Sequence, residues 1–185
     1  MLQERANWLA GYAFQLVPPP VPASVLAAIR EAEEQYYAGA PLWRRAAEDA
    51  QDILAFASPW LTYEADFSLG PYRIKARTIE KILPWAAERG YLQIAAGEQE
   101  IARYAIAYFS EQPAISDWQA MILLEWLRTE HPQLRQIAWD ALAADPRLVA
   151  KLYSGYMGAG GDWALWRASL EPGRVALRRL GLEGG

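Results

Sequence analysis

Cysteine is absent from the 185 residues, and histidine occurs once, as His131. Without thiols there are no disulfides and no thiolate metal sites. A single imidazole cannot build a histidine-rich metal site or supply the base of an evident catalytic triad. Any catalysis is therefore expected to rest on carboxylates, with no metal and no cofactor. His131 itself, in "RTEHPQLRQ" between two helical runs, reads as a surface turn residue. Basic charge is also scarce, with 18 Lys and Arg against 22 Asp and Glu for a net charge of −4. That balance leaves no electrostatic footprint for nucleic acid and no attraction to an anionic membrane surface. No stretch approaches the roughly 20 apolar residues that a membrane span needs. The N-terminal run "MLQERANWLAGYAFQLVPPPVPA" has Glu4 and Arg5 where a signal peptide would be basic, and Asn7, Gly11 and Gln15 interrupt it. The chain is thus expected to be made in the cytoplasm without a cleaved secretory signal.

What is present is helical patterning. The composition, 53% hydrophobic and 22% charged, is that of an ordinary globular chain long enough to bury a core. Apolar residues recur at three- and four-residue spacing almost throughout, which predicts an all-α fold of about eight to ten helices. We expect one domain over 1–185, with 1–20 forming an N-terminal helix (Gln3 to Phe14) and a stiff connection at Pro18, Pro19 and Pro20. Pro22 opens a second helix with a buried stripe of Val25, Leu26, Ile29 and Tyr36 or Tyr37. Pro41 opens a third, carrying Trp43, Ala47, Ile53, Leu54 and Phe56. A fourth runs from Arg77 to Arg89, with a kink or break at Pro84 and a stop at Gly90. Further helices are expected over Ala95 to Phe109, and from Ser116, whose spacing to Gln119 suits a capping box. Others should cover His131 to Ala144, the run after Asp145-Pro146, the segment around Trp163 and Trp166, and the end from Pro172. The run "MILLEWL" is expected to form the core. Tyrosine and tryptophan outnumber phenylalanine, 10 and 9 against 4. Such rings suit sugar-stacking clefts, although most should serve the core.

One segment departs from the pattern. In "ADFSLGPYRIKARTIEKIL", Gly70-Pro71 cannot lie inside a helix, so a short β-like hairpin or irregular segment is expected near residues 63–74. A second place of interest is the acidic end of the second helix, "VPASVLAAIREAEEQYY". Glu33 follows Ile29 by four residues and leans toward the apolar stripe, whereas Glu31 and Glu34 lie farther round. A carboxyl at the edge of such a stripe loses solvation and can act as a general acid. The same run can equally be a solvated helix end.

The order of three elements, "VPASVLAAIREAEE", "SLGPYRIKARTIEKI" and "LVAKLYSGYMGAGGDW", resembles that of the lytic transglycosylases and goose-type lysozymes. The resemblance spans about Val21 to Asp162. It implies a lysozyme-like fold in which the glycine-bearing segment forms a wall of the substrate cleft facing the catalytic glutamate. It implies cleavage of the peptidoglycan glycan strand between N-acetylmuramic acid and N-acetylglucosamine, with Glu33 as general acid and Glu31 in reserve. Ser68 and the backbone around Gly70 would bind sugar or its N-acetyl group, beside Tyr72, and Tyr153 would orient the glutamate. Ser68 can also be a turn hydroxyl and Tyr153 a core residue. The match has departures: Glu33 stands one position later than in the family, Arg73 replaces a glutamine, and Tyr153-Ser154 replaces Tyr-Asn. Arg73 is then either a solvated strand residue or a substitute contact to substrate. Asp66 is either the base of a hydrolysis or a turn cap; in the second case a single glutamate favours transglycosylation. An active enzyme would reach the wall by another route, such as a phage or injection apparatus. A catalytically inactive glycan- or protein-binding module, or an unrelated helical adaptor, are the alternatives.

Overall fold

In the computed structural model, residues 14–57, 64–65, 68–94, 113–158 and 162–183 are described. Asp66, the expected helix over 95–109 and all but the last residue of the expected first helix lie outside them. The fold is all-α: among the described residues there are eight α-helices and two short antiparallel strand pairs. The helices are α1 (Ala23–Ala38), α2 (Leu42–Ala57), α3 (Ala76–Glu88), α4 (Pro113–Glu130), α5 (Trp139–Ala144), α6 (Pro146–Tyr156), α7 (Trp163–Ala168) and α8 (Arg174–Arg179). The strands are β1 (Phe14–Leu16), β2 (Ser68–Leu69), β3 (Ile74–Lys75) and β4 (Leu92–Ile94). Among the described residues no helix is long and apolar enough to cross a membrane.

The chain divides into two compact units, Met1–Pro18 with Ala46–Trp118, and Pro19–Arg45 with Gln119–Gly185. Helices α2 and α4 each contribute residues to both. In the first unit, β2 and β3 form the expected hairpin, with Ser68 opposite Lys75 and Leu69 opposite Ile74. Its turn is closed by the Arg73 N–H donating to the Gly70 carbonyl at 3.1 Å. Gly70 takes φ +67°, and Arg73 sits at φ +49°, a left-handed conformation that costs a non-glycine residue energy. Arg73 is held there by Asp52 on α2, at 2.9 Å, with Glu48 at 3.9 Å.

A second strand pair was not expected. β1 runs antiparallel to β4, with Leu16 opposite Leu92, so Phe14 begins a strand instead of ending a helix. The extended backbone of Phe14–Leu16 finds its hydrogen-bond partners on β4. The Trp118 indole N–H bridges the Val17 and Tyr91 carbonyls at 3.1 and 3.2 Å, tying the start of α4 to this pair. Helix α3 buries Ile79, Ile82, Leu83 and Ala86 and ends before Gly90 at φ +75°. It continues through Pro84 without a break, because proline removes only one bond of a ladder that the flanking turns complete.

In the second unit, α1 begins after Pro22 and buries Val25, Leu26, Ile29, Ala32 and Glu33. Beyond them, of the two tyrosines expected to extend the stripe, Tyr36 is exposed and Tyr37 is half-buried. Helix α4 starts at Pro113, one turn before the expected cap. Proline fits the first helical position, which leaves Ser116 and Gln119 buried inside the helix. Ile122, Leu123, Leu124 and Leu127 are all buried. Three consecutive buried positions at about 100° per residue mean that this helix has no solvent face there.

The expected helix from His131 to Ala144 is instead a short 3₁₀ turn, Leu134–Gln136, followed by α5. The cause is His131, which is fully buried and not a surface turn residue. Its Nδ1 accepts the Gln133 and Leu134 N–H groups at 3.2 Å, caging the turn, and Ile137 and Ala138 are extended. Asp145 caps α6 as expected, accepting from the Arg147 N–H at 2.9 Å with Pro146 at the first position. Most of the described tryptophans serve packing. Trp166 meets His131 edge-on at 4.9 Å and Trp163 at 5.5 Å, and its indole N–H donates to the Lys151 carbonyl at 3.1 Å. Gly155 makes this possible, since a Cβ there would stand 2.6 Å from the Trp166 ring.

Burial and its polar partners make His131 a pH-sensitive joint. Nε2 faces the carbonyls of Ser169 and Trp166 at 2.9 and 3.1 Å, so this nitrogen carries the hydrogen and the ring is neutral. Its pKa lies below the ordinary histidine value, first because burial disfavours the cation, with the charges of Lys151 and Arg167 adding. Below pH about 6.5 the unfolded chain then binds a proton that the folded one refuses, so stability falls with pH until the folded histidine also protonates. Thermal melts between about pH 7 and pH 5 should show this decline. His131→Asn, which keeps an acceptor near Nδ1, should be less stable overall but show a flatter slope.

Candidate functional site

The sequence-predicted residues fall in both units. Ser68 lies on β2, Gly70 is buried in the hairpin turn, and Tyr72 is buried with its hydroxyl donating to Asp117 at 2.9 Å. Arg73 is committed to the Asp52 and Glu48 carboxylates of α2. These four belong to the first unit. Glu33, Glu31 and Tyr153 belong to the second.

Within the second unit a buried carboxylate forms the centre of a polar cluster. Glu33 is 6% exposed, whereas Glu31 and Glu34 point to solvent, where Glu31 accepts from Gln35 and Glu34 pairs with Arg30. The four-residue step from Ile29 carries Glu33 onto the apolar face, and the two neighbouring carboxylates are rotated off it. Tyr153, on α6 and 120 residues along the chain, donates its hydroxyl to Glu33 Oε1 at 2.5 Å. Burial, followed by the adjacent Glu33 carboxylate, raises the Tyr153 phenol well above its usual range. The phenol therefore stays a donor at any physiological pH.

A third member was not found from the sequence. Arg179, the last residue of α8, brings Nη1 to 3.3 Å from both Glu33 Oε1 and the Tyr153 oxygen. Its guanidinium lies over the Tyr36 ring, 3.5 Å from the centroid, a cation–π contact. Arg44 meets the same ring, with Nη1 2.6 Å from the Tyr36 hydroxyl. Nothing local marks Arg179, which follows Arg178 in an arginine pair. Its position comes only from the docking of α8.

The cluster has a definite chemical character. A buried carboxylate is costly unless donors satisfy it, and here a phenol and a guanidinium do so. Tyr153 fixes the orientation of the carboxyl, and Arg179 supplies the compensating charge. Among the described residues, no group of three or more His, Asp or Glu side chains is placed to hold a metal ion. Comparison of the chain with family models, with curated proteins and with solved structures finds no match in any of the three.

Proposed function

We propose that this chain is a lysozyme-like protein that cleaves the glycan strand of peptidoglycan between N-acetylmuramic acid and N-acetylglucosamine, with Glu33 as the proton donor. The observation that carries the reading is the Tyr153–Glu33 hydrogen bond. It joins the two residues whose pairing the motif order implies, around a carboxyl that is buried at 6% exposure. In the reaction, the protonated Glu33 carboxyl gives its proton to the bridging oxygen as the C1–O bond breaks, and the leaving sugar departs as an alcohol. The positive charge left at C1 is taken up by water or by the sugar's own hydroxyl, whose proton passes to the Glu33 carboxylate. The net charge of −4 favours a neutral or cationic partner over nucleic acid. Delivery to a cell wall by a phage or injection apparatus belongs to the same proposal.

A second reading, a module that binds glycan or protein without cleaving it, is favoured by one observation. Arg179 pairs with the carboxylate that would have to carry the proton. Loss of turbidity of purified cell walls, with new sugar ends released, supports cleavage. Walls left intact across about pH 4 to 8 exclude it, and co-sedimentation with insoluble peptidoglycan then decides whether the binding module stands.

A further inference from the structure

We propose that Arg179 is a positioning residue that helps set the pH at which Glu33 can donate a proton, shifting acid chemistry at this site toward lower pH. The inference rests on the reading of Glu33 as the proton donor. The Tyr153 hydroxyl on α6 and the Arg179 guanidinium on α8 both face the carboxyl from helices packed on α1. Along α1 itself, Arg30 and Glu34 pair with one another on the exposed side. Arg178, adjacent to Arg179, is occupied by Glu183 at 3.0 Å.

The two contacts to Glu33 differ in kind. Tyr153 is buried and donates at 2.5 Å, and as a neutral donor it serves the orientation of the carboxyl. Arg179 stands farther off, at 3.3 Å, on a side chain that is 19% exposed, and it brings a positive charge against the carboxylate. A cation at this range favours the ionised carboxyl, against the burial that favours the protonated one, so it draws the titration lower than burial alone would set it. A general acid must be protonated to work, so the high-pH limb of activity is drawn downward with it. Tyr36 is the platform that fixes Arg179 in place, and Arg44 on the same ring sets two cations close together.

The test is a ¹³C-carboxyl NMR titration of Glu33, together with the pH profile of wall lysis, in the full chain. Arg179→Gln should raise the Glu33 midpoint by about one pH unit or more and move the high-pH limb of lysis the same way. Arg179→Lys, which restores the charge, should bring both back toward wild type. A purely structural role would lower stability and leave the midpoint where it was. If Arg179→Gln does not fold, Tyr36→Leu replaces it; loosening the guanidinium should raise the midpoint by a smaller amount. An unchanged midpoint in the folded variants overturns the proposal. A shifted midpoint in a protein that lyses no wall leaves the charge control standing and removes the cleavage reading instead.

Discussion

Glu33→Gln should reduce lysis of purified cell walls by roughly 10²- to 10⁴-fold, the contribution of a positioned general acid. Glutamine keeps the size and one carbonyl acceptor for the Tyr153 hydroxyl, so the geometry of the cluster should survive while the titratable proton is lost. Read from the sequence alone, a carboxyl beside an apolar stripe is a cost, and its removal should leave folding unharmed. The partners reverse that sign. Tyr153 and Arg179 both donate to Oε1, and hydrogen bonds to a charged group each contribute about 1.5 to 3 kcal/mol. Glu33→Gln should therefore lower the melting temperature as well as activity. Glu34→Gln removes only an exposed pair with Arg30 and should change neither. Turbidity assays and thermal melts on the same preparations separate the two effects. Lysis abolished by Glu31→Gln and retained in Glu33→Gln would assign the proton donor to the solvent-facing residue.

Leu123→Ala should destabilise the protein by roughly 2 to 5 kcal/mol. Ile122, Leu123 and Leu124 are successive residues of α4, and all three are buried. No rotation of the helix can expose the gap to solvent, so the lost methyl groups leave a cavity that neighbouring side chains fill only in part. Denaturant unfolding should show a lower midpoint with an unchanged slope. A midpoint equal to that of the wild type would mean that this part of α4 is not packed as described.

The legibility of the fold tracked how local each cause was. The start of α1 at Pro22, the cap of α6 by Asp145 and the stop of α3 before Gly90 each depend on residues within a turn of the boundary. All were readable. The β1–β4 pairing depends on two segments far apart in the chain, and neither alternates strongly enough to announce a strand. The break between His131 and α5 depends on a ring whose burial is tertiary, so a helical pattern concealed it. The placement of Glu33 came from helix geometry, and its juxtaposition with Tyr153 from the order of motifs. Arg179 had neither signal, because a guanidinium that reaches a carboxylate 146 residues away leaves no spacing to read.

The discontinuity of the second unit bears on how the chain is made. Pro19–Arg45 must wait for Gln119–Gly185, and the Glu33 cluster is complete only once Arg179 has been added. At synthesis rates of about 5 to 20 residues per second, the 146 residues between them take roughly 7 to 30 seconds. For that interval the apolar face of α1 lacks its final cover, and a carboxylate destined for burial stays hydrated. Such a long-range closure also slows folding of the finished chain, because the entropy of joining distant segments is lost before their contacts repay it. A nascent chain stalled before α8 would thus present an open α1 face suited to chaperone capture. Assembly of the polar cluster would be among the last events of folding.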